Sequence, residues 1–232
     1  MKRAIFAAPF AATLGLFVYG AAFAAPASPP AADRGAHLAT SLADALAAAS
    51  PGADAGPGYS WPIPANWYPD GYSFPLPWAP SIPYSGQEIL QQAPGFGDTT
   101  SAEFWSYTYA WWLEGDPNLT ASALSTDLLA YYRGLMGGCT YADGPCDLGN
   151  YKAHVTELAG TEGRRAVKVF GGDVQLYDEF FTGKLMTLHL LASTYDCPRD
   201  GHRVVLFSAS PEPLTNGVWE ELLERQAAFR CE

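Results

Sequence analysis

Residues 165–210 read RAVKVFGGDVQLYDEFFTGKLMTLHLLASTYDCPRDGHRVVLFSAS. Short runs of Val, Leu, Phe, Tyr and Thr stand between Gly-rich or polar breaks, the pattern of strands joined by turns. The runs are Arg165 to Phe170, Val174 to Phe181, Leu185 to Ser193 and Arg203 to Ser210, with Tyr151 to Leu158 ahead of them. Connections as short as Gly160-Thr161-Glu162-Gly163 and Pro198-Arg199-Asp200-Gly201 make sequential neighbours antiparallel.

Outward from this block the period changes. On the C-terminal side, Trp219, Leu222, Leu223, Gln226 and Phe229 fall near one face of a helix expected over Pro213 to Phe229. On the N-terminal side, Leu124, Leu128, Tyr131, Tyr132 and Leu135 form an apolar stripe, with Thr120 as N-cap and Gly137-Gly138 as the stop. Before that helix, Trp105, Tyr107, Tyr109 and Trp111 alternate with Ser106, Thr108 and Ala110, so Glu103 to Leu113 is expected as a strand. The competing reading is a helix, because Thr100-x-x-Glu103 has the form of a capping box. Strand, helix, five strands, helix is an α+β order. The expected architecture is an antiparallel β-meander of five to six strands covered by two helices.

From Trp61 to Tyr84 seven aromatic residues are interleaved with seven prolines, Trp61, Trp67 and Trp78 among the aromatics. Proline at that density excludes a helix or an interior strand, so the segment is expected as an extended strap. Its rings either pack against the body or form an aromatic platform for a protein or glycan partner.

The chain has 232 residues and opens with Lys2 and Arg3, an apolar stretch from Ala4 to Gly20, and Ala22-Phe23-Ala24. That is the form of a cleavable signal peptide over residues 1–24, the alternative being a membrane anchor. Residues 25–56, rich in Ala, Pro, Ser and Gly, lack the large apolar groups that offset ordering entropy and are expected as a disordered tether. Residues 57–232 then form one domain. The location implied is periplasmic or secreted, without stable membrane insertion after cleavage. In that setting four cysteines suggest two disulfides, Cys139–Cys146 and Cys197–Cys231 being favoured among three pairings. Cys139-x6-Cys146 followed by distant single cysteines does not have zinc-site spacing.

The formal net charge is −11, and loss of Lys2 and Arg3 leaves 11 basic residues against 24 acidic ones. Such a chain repels phosphate backbones, so nucleic acid is excluded as a partner class.

The pieces IPYSG, APGF and FWSYTYAWWLEG within 82–115, then YYRGL and YDEFFTGK, resemble a group of exported bacterial proteins over about 150 residues. The resemblance implies a bacterial source and an exported location and assigns no functional residue. RVVLFSASPEP followed by VWEELLERQAAF is similar to the closing strand and helix of the PsbP and Mog1-like fold, which implies an accessory or binding module.

Chemistry-bearing residues are sparse. His154 and His189 are expected on strands and, were those strands neighbours, could meet Glu157 or Asp178 in a nitrogen and oxygen metal site. No HxH or HExxH spacing enforces this, so neither a metal nor any other cofactor is implied. Ser208 and Ser210 lie near Glu212 without a G-x-S-x-G elbow, and Gly183-Lys184 lacks the rest of a phosphate loop. Asp178-Glu179 is an adjacent carboxylate pair, but neighbours on a strand face opposite sides. The expected function is a non-enzymatic exported binding or accessory protein with Trp61, Trp67 and Trp78 in the contact region. The alternative is a hydrolase, metal-assisted, using His154 and His189 with Asp178 as a further candidate.

Overall fold

The computed structural model describes residues 58–137, 147–159, 168–197, 199 and 201–232. The expected signal peptide, the tether, the Cys139–Cys146 pair and the turn at Gly160–Gly163 lie outside the described residues. In chain order the elements are β1 (Tyr59–Ser60), β2 (Tyr68–Ser73), β3 (Gly86–Gln92), β4 (Tyr107–Glu114), α1 (Ala121–Leu135), a 3-10 turn (Leu148–Asn150), β5 (Lys152–Glu157), β6 (Lys168–Asp178), β7 (Lys184–Cys197), β8 (His202–Ser210), α2 (Val218–Ala228) and β9 (Arg230–Cys231).

Seven strands form one antiparallel sheet in the order β2-β3-β4-β8-β7-β6-β5, and β1 pairs with β9 in a second, two-stranded ribbon. The α+β class stands, but the main sheet has more strands than the five to six expected. Nor is it one continuous meander. Two hairpin runs, β2-β3-β4 and β5-β6-β7-β8, join where β8 docks beside β4.

Strand β4 is the centre of the molecule. Every residue from Tyr107 to Leu113 is buried, because successive side chains face opposite sides and both sides are covered. Tyr109 stacks on Tyr131 of α1, whereas Thr108 donates its hydroxyl to the Leu222 carbonyl of α2. One helix therefore lies on each face. The larger core fills the α1 side with Tyr109, Trp111, Phe207, Leu190 and Phe170; smaller clusters under α2 hold Trp112, Leu206 and Phe229, and Trp67, Trp219 and Leu222.

Local chemistry explains the element ends. Thr120 caps α1 by accepting from the Ala123 N–H at 3.1 Å, as its sequence position implied. The C-terminal helix begins at Val218 rather than near Pro213, since Pro213 to Gly217 turn instead. Thr100-x-x-Glu103 caps no helix: Glu103 Oε2 accepts from the Gly95 N–H at 2.6 Å and pins the loop ahead of β4. The expected break at Gly171-Gly172 is absent, and β6 runs through it. A Cβ on Gly172 would lie 2.1 Å from the His154 carbonyl oxygen, so glycine allows the backbones of β5 and β6 to approach.

The aromatic and proline strap wraps the body and contributes β2, an edge strand that tolerates Pro69. Strand β3 has no counterpart in the sequence reading, because its inward positions include Glu88 and Gln91. Cys197 at the end of β7 is disulfide-bonded to Cys231 of β9, 34 residues away. Closing a loop of that size stabilises a fold by about 2–4 kcal/mol. Among the described residues, no helix is long and apolar enough to cross a membrane.

Candidate functional site

A cavity of about 310 Å³ opens on the α1 side of the sheet. Its floor is β3, with Glu88, Leu90 and Gln92, and its sides come from β2, the strap, the Ala93–Gly97 loop, α1 and the β6–β7 turn. Nine of its lining residues are Phe, Tyr or Trp, which makes the wall chiefly apolar. This is the composition of a small-molecule site.

Each part of the wall is held by a specific local feature. Trp78 comes from the strap and meets Tyr72 edge-on at 4.5 Å and Tyr131 at 5.8 Å. It reaches α1 because Gly134 has no side chain: a Cβ there would sit 1.8 Å from the Trp78 carbonyl oxygen. Trp105 precedes β4 with φ of 52°, a left-handed conformation costly for a bulky residue. Trp105 lies ahead of the regular strand yet stays on the face of Tyr107, Tyr109 and Trp111, as the alternation predicted, and its ring stacks on Phe180, 5.6 Å away. The indole N–H groups of both Trp78 and Trp105 are buried without a hydrogen-bond partner.

The β6–β7 turn carries the opposite wall. Asp178 is fully buried and its carboxylate accepts from the N–H groups of Phe180, Phe181 and Thr182 at 3.2, 3.1 and 2.8 Å, and from the Thr182 hydroxyl at 2.7 Å. Those bonds hold Phe180 and Phe181 against Trp105 and Phe96. Asp178 is thus a positioning residue for the aromatic wall. Its neighbour Glu179 accepts from the Tyr151 hydroxyl at 3.0 Å.

Glu88 is the chemically distinctive group. It is 1% exposed, receiving Trp111 Nε1–H on Oε2 and the Tyr131 hydroxyl on Oε1, each at 2.9 Å. Burial pushes its carboxyl up to about 8; the two donors oppose the shift and the nearby Asp70 charge adds to it. Asp70, also lining the cavity, accepts from the Tyr72 hydroxyl at 2.8 Å and is likewise raised by burial.

The sequence-based candidates fall in several places. Trp78 lines the cavity, but Trp61 and Trp67 are buried on the α2 side, where their N–H groups bond the Arg225 carbonyl and Glu221. These two rings clamp α2 and do not form a solvent-facing platform. His154 and His189 flank Asp173 in register across β5, β6 and β7, and His189 Nδ1 lies 2.5 Å from the Asp173 carboxylate. The carboxylate between the histidines is therefore Asp173. Glu157 pairs with Lys168 at 3.8 Å, and Asp178 lies five residues along β6, inside its turn. Among the described residues, no group of three or more His, Cys, Asp and Glu is arranged to hold a metal ion. Glu88 was missed by sequence reasoning; its only signal is an acid followed directly by Ile89 and Leu90.

No protein-family model matches the chain, and no curated protein sequence matches it. Among solved structures, LpqN of Mycobacterium tuberculosis, involved in cell envelope biogenesis, is similar over 73% of this chain and 78% of its own, with 12% identity and a TM-score of 0.29. Likeness of that degree gives no guidance on function, which rests on the site itself.

Proposed function

We propose that this is an exported, non-enzymatic binding protein that holds a small, largely apolar molecule in the cavity on the α1 side of its sheet. The observation that carries this reading is the aromatic wall of Trp78, Trp105, Phe96, Phe180 and Phe181 around about 310 Å³ of space, built with a strained backbone and two unpartnered indole N–H groups. Among the described residues, the cavity lining contains no Ser, Cys, Thr, Lys or His side chain, and Glu88, raised by burial, has both carboxyl oxygens engaged by Trp111 and Tyr131. Residues 1–24 and the Cys197–Cys231 bond support export to an oxidising compartment.

The test is titration with N-phenyl-1-naphthylamine, a neutral apolar fluorophore. The wild-type protein binds it saturably at one site, and Leu135→Trp, which fills the cavity from α1, abolishes binding without lowering the melting temperature. Absence of saturable binding to the wild type overturns the reading. A second reading, a hydrolase using His154 and His189, draws on the contact between His189 and Asp173, which would orient that imidazole. It requires hydrolysis of ester or phosphoester substrates that His154→Ala and His189→Ala abolish.

A further inference from the structure

Apart from tyrosines, the cavity's ionisable lining side chains are Asp70 and Glu88, both acids. Among the described residues, no Lys, Arg or His lines it. The groups whose charge acts on Glu88 are Asp70 on β2, and its donors are Trp111 on β4 and Tyr131 on α1. No cation is among them. A carboxylate offers about four lone-pair sites, and the two donors occupy two. A buried carboxyl with donors but no counter-charge would gain most from a positive group placed beside it.

The same cavity supplies the other half of a cation site. Faces of Trp and Tyr rings attract an ammonium group through their quadrupoles, most strongly when the site is desolvated. Trp78, Tyr72, Tyr131 and Trp105 bring such rings to the cavity that Glu88 floors.

We propose that the ligand is a small organic cation, an ammonium group carrying an apolar chain, seated in the aromatic cavity with Glu88 and Asp70 as its counter-charge. This rests on the reading of the cavity as a ligand site and specifies what it selects. Its chemistry separates it from a fatty acid, which Asp70 and Glu88 would repel, and from a neutral lipid, which would gain nothing from them.

The experiment uses hexanoylcholine, its uncharged isostere 3,3-dimethylbutyl hexanoate, and hexanoate, each titrated calorimetrically into the full chain. Hexanoylcholine is expected to bind about tenfold or more tightly than the neutral ester, a ratio that cation–π attraction and a buried counter-charge readily supply. Hexanoate is expected not to bind. Glu88→Gln keeps the shape, its amide oxygen accepting from Trp111 Nε1–H and its NH2 facing the Tyr131 hydroxyl oxygen. It should reduce the charged-to-neutral preference about tenfold, through a larger loss for hexanoylcholine than for the neutral ester. Asp70→Asn should do the same to a smaller degree and serves if Glu88→Gln misfolds. Equal affinity for the two esters, or a preference that survives both substitutions, overturns the cation assignment and leaves the binding reading standing. Failure of all three compounds and of the fluorophore to bind overturns both.

Discussion

The two faces of one sheet are built on different principles. Under α2, buried polar groups complete one another: Ser106 and Ser210 hydroxyls meet at 2.8 Å, Ser193 donates to Gln226 Oε1 at 2.8 Å, and Gln226 Nε2 donates to the Leu191 carbonyl at 3.0 Å and to Ser208 at 2.9 Å. Under α1 the side chains are larger, the wall is aromatic, two indole N–H groups lack partners, and a buried acid has no cation. Gln91 Oε1 and Arg225 Nε on the α2 side also lack partners, so the faces differ chiefly in space. A filled face knit by hydroxyl and amide bonds serves stability, and one that leaves a cavity beside a buried acid is shaped for something else. Both share β4, so Trp112 and Trp111, adjacent in sequence, belong to different functions.

This contrast can be broken most forcefully by truncating each face. Leu222→Ala under α2 removes a fully buried side chain from a filled region and should cost about 3–5 kcal/mol in denaturant unfolding. Leu90→Ala borders the existing cavity, where fewer contacts are lost, and should cost about 2 kcal/mol, at the low end for such changes. Comparable losses at the two sites would mean that the α1 side is as closely packed as the α2 side. Asp178→Ala removes four charge-assisted bonds from the β6–β7 turn and should cost about 2 kcal/mol. Its sharper effect is on binding: once Phe180 and Phe181 are released, affinity for N-phenyl-1-naphthylamine should fall by roughly an order of magnitude at temperatures where the domain remains folded.

The smallest expected effect is on pH dependence. Glu88 is raised to about 8 in the folded chain, and Asp70 is raised too, whereas unfolded carboxyls ionise near their ordinary values. Between about pH 4.5 and pH 8 the folded state binds more protons than the unfolded one, so stability falls as pH rises through that window and levels off above it. A drop in melting temperature of several degrees from pH 5 to pH 8, largely removed by Glu88→Gln, is the predicted signature. Cation binding works in the opposite sense, since it favours the ionised carboxyl; its affinity should increase as pH rises toward 8.

Legibility in the sequence followed periodicity. Strands β5, β7 and β8 and the stripe and cap of α1 were readable, because alternation and 3.6-residue spacing are local signals. Two expected strands, by contrast, proved to be the single β6, and Cys197–Cys231 was only the favoured one of three pairings. Strand β3 was not, since Glu88 and Gln91 occupy inward positions where an apolar residue is the usual mark. The docking of β8 beside β4 depends on a non-local pairing that no local pattern carries. The strap's rings were visible, but not their division: Trp61 and Trp67 clamp α2, and Trp78 lines the cavity. Trp105 lies just before β4 with a positive φ that no alternation pattern signals, yet it keeps the face the alternation predicted and lines the cavity beside Tyr107.

The seven tryptophans report on both faces at once through their indole N–H resonances. In a two-dimensional nitrogen–proton spectrum recorded during titration with hexanoylcholine, the signals of Trp78, Trp105 and Trp111, which line the cavity or bond Glu88, should shift with saturation at one equivalent. Those of Trp61, Trp67, Trp112 and Trp219, buried on the α2 side, should remain in place. Shifts confined to the second group, or spread evenly over all seven, would contradict the assignment of ligand binding to the α1 face.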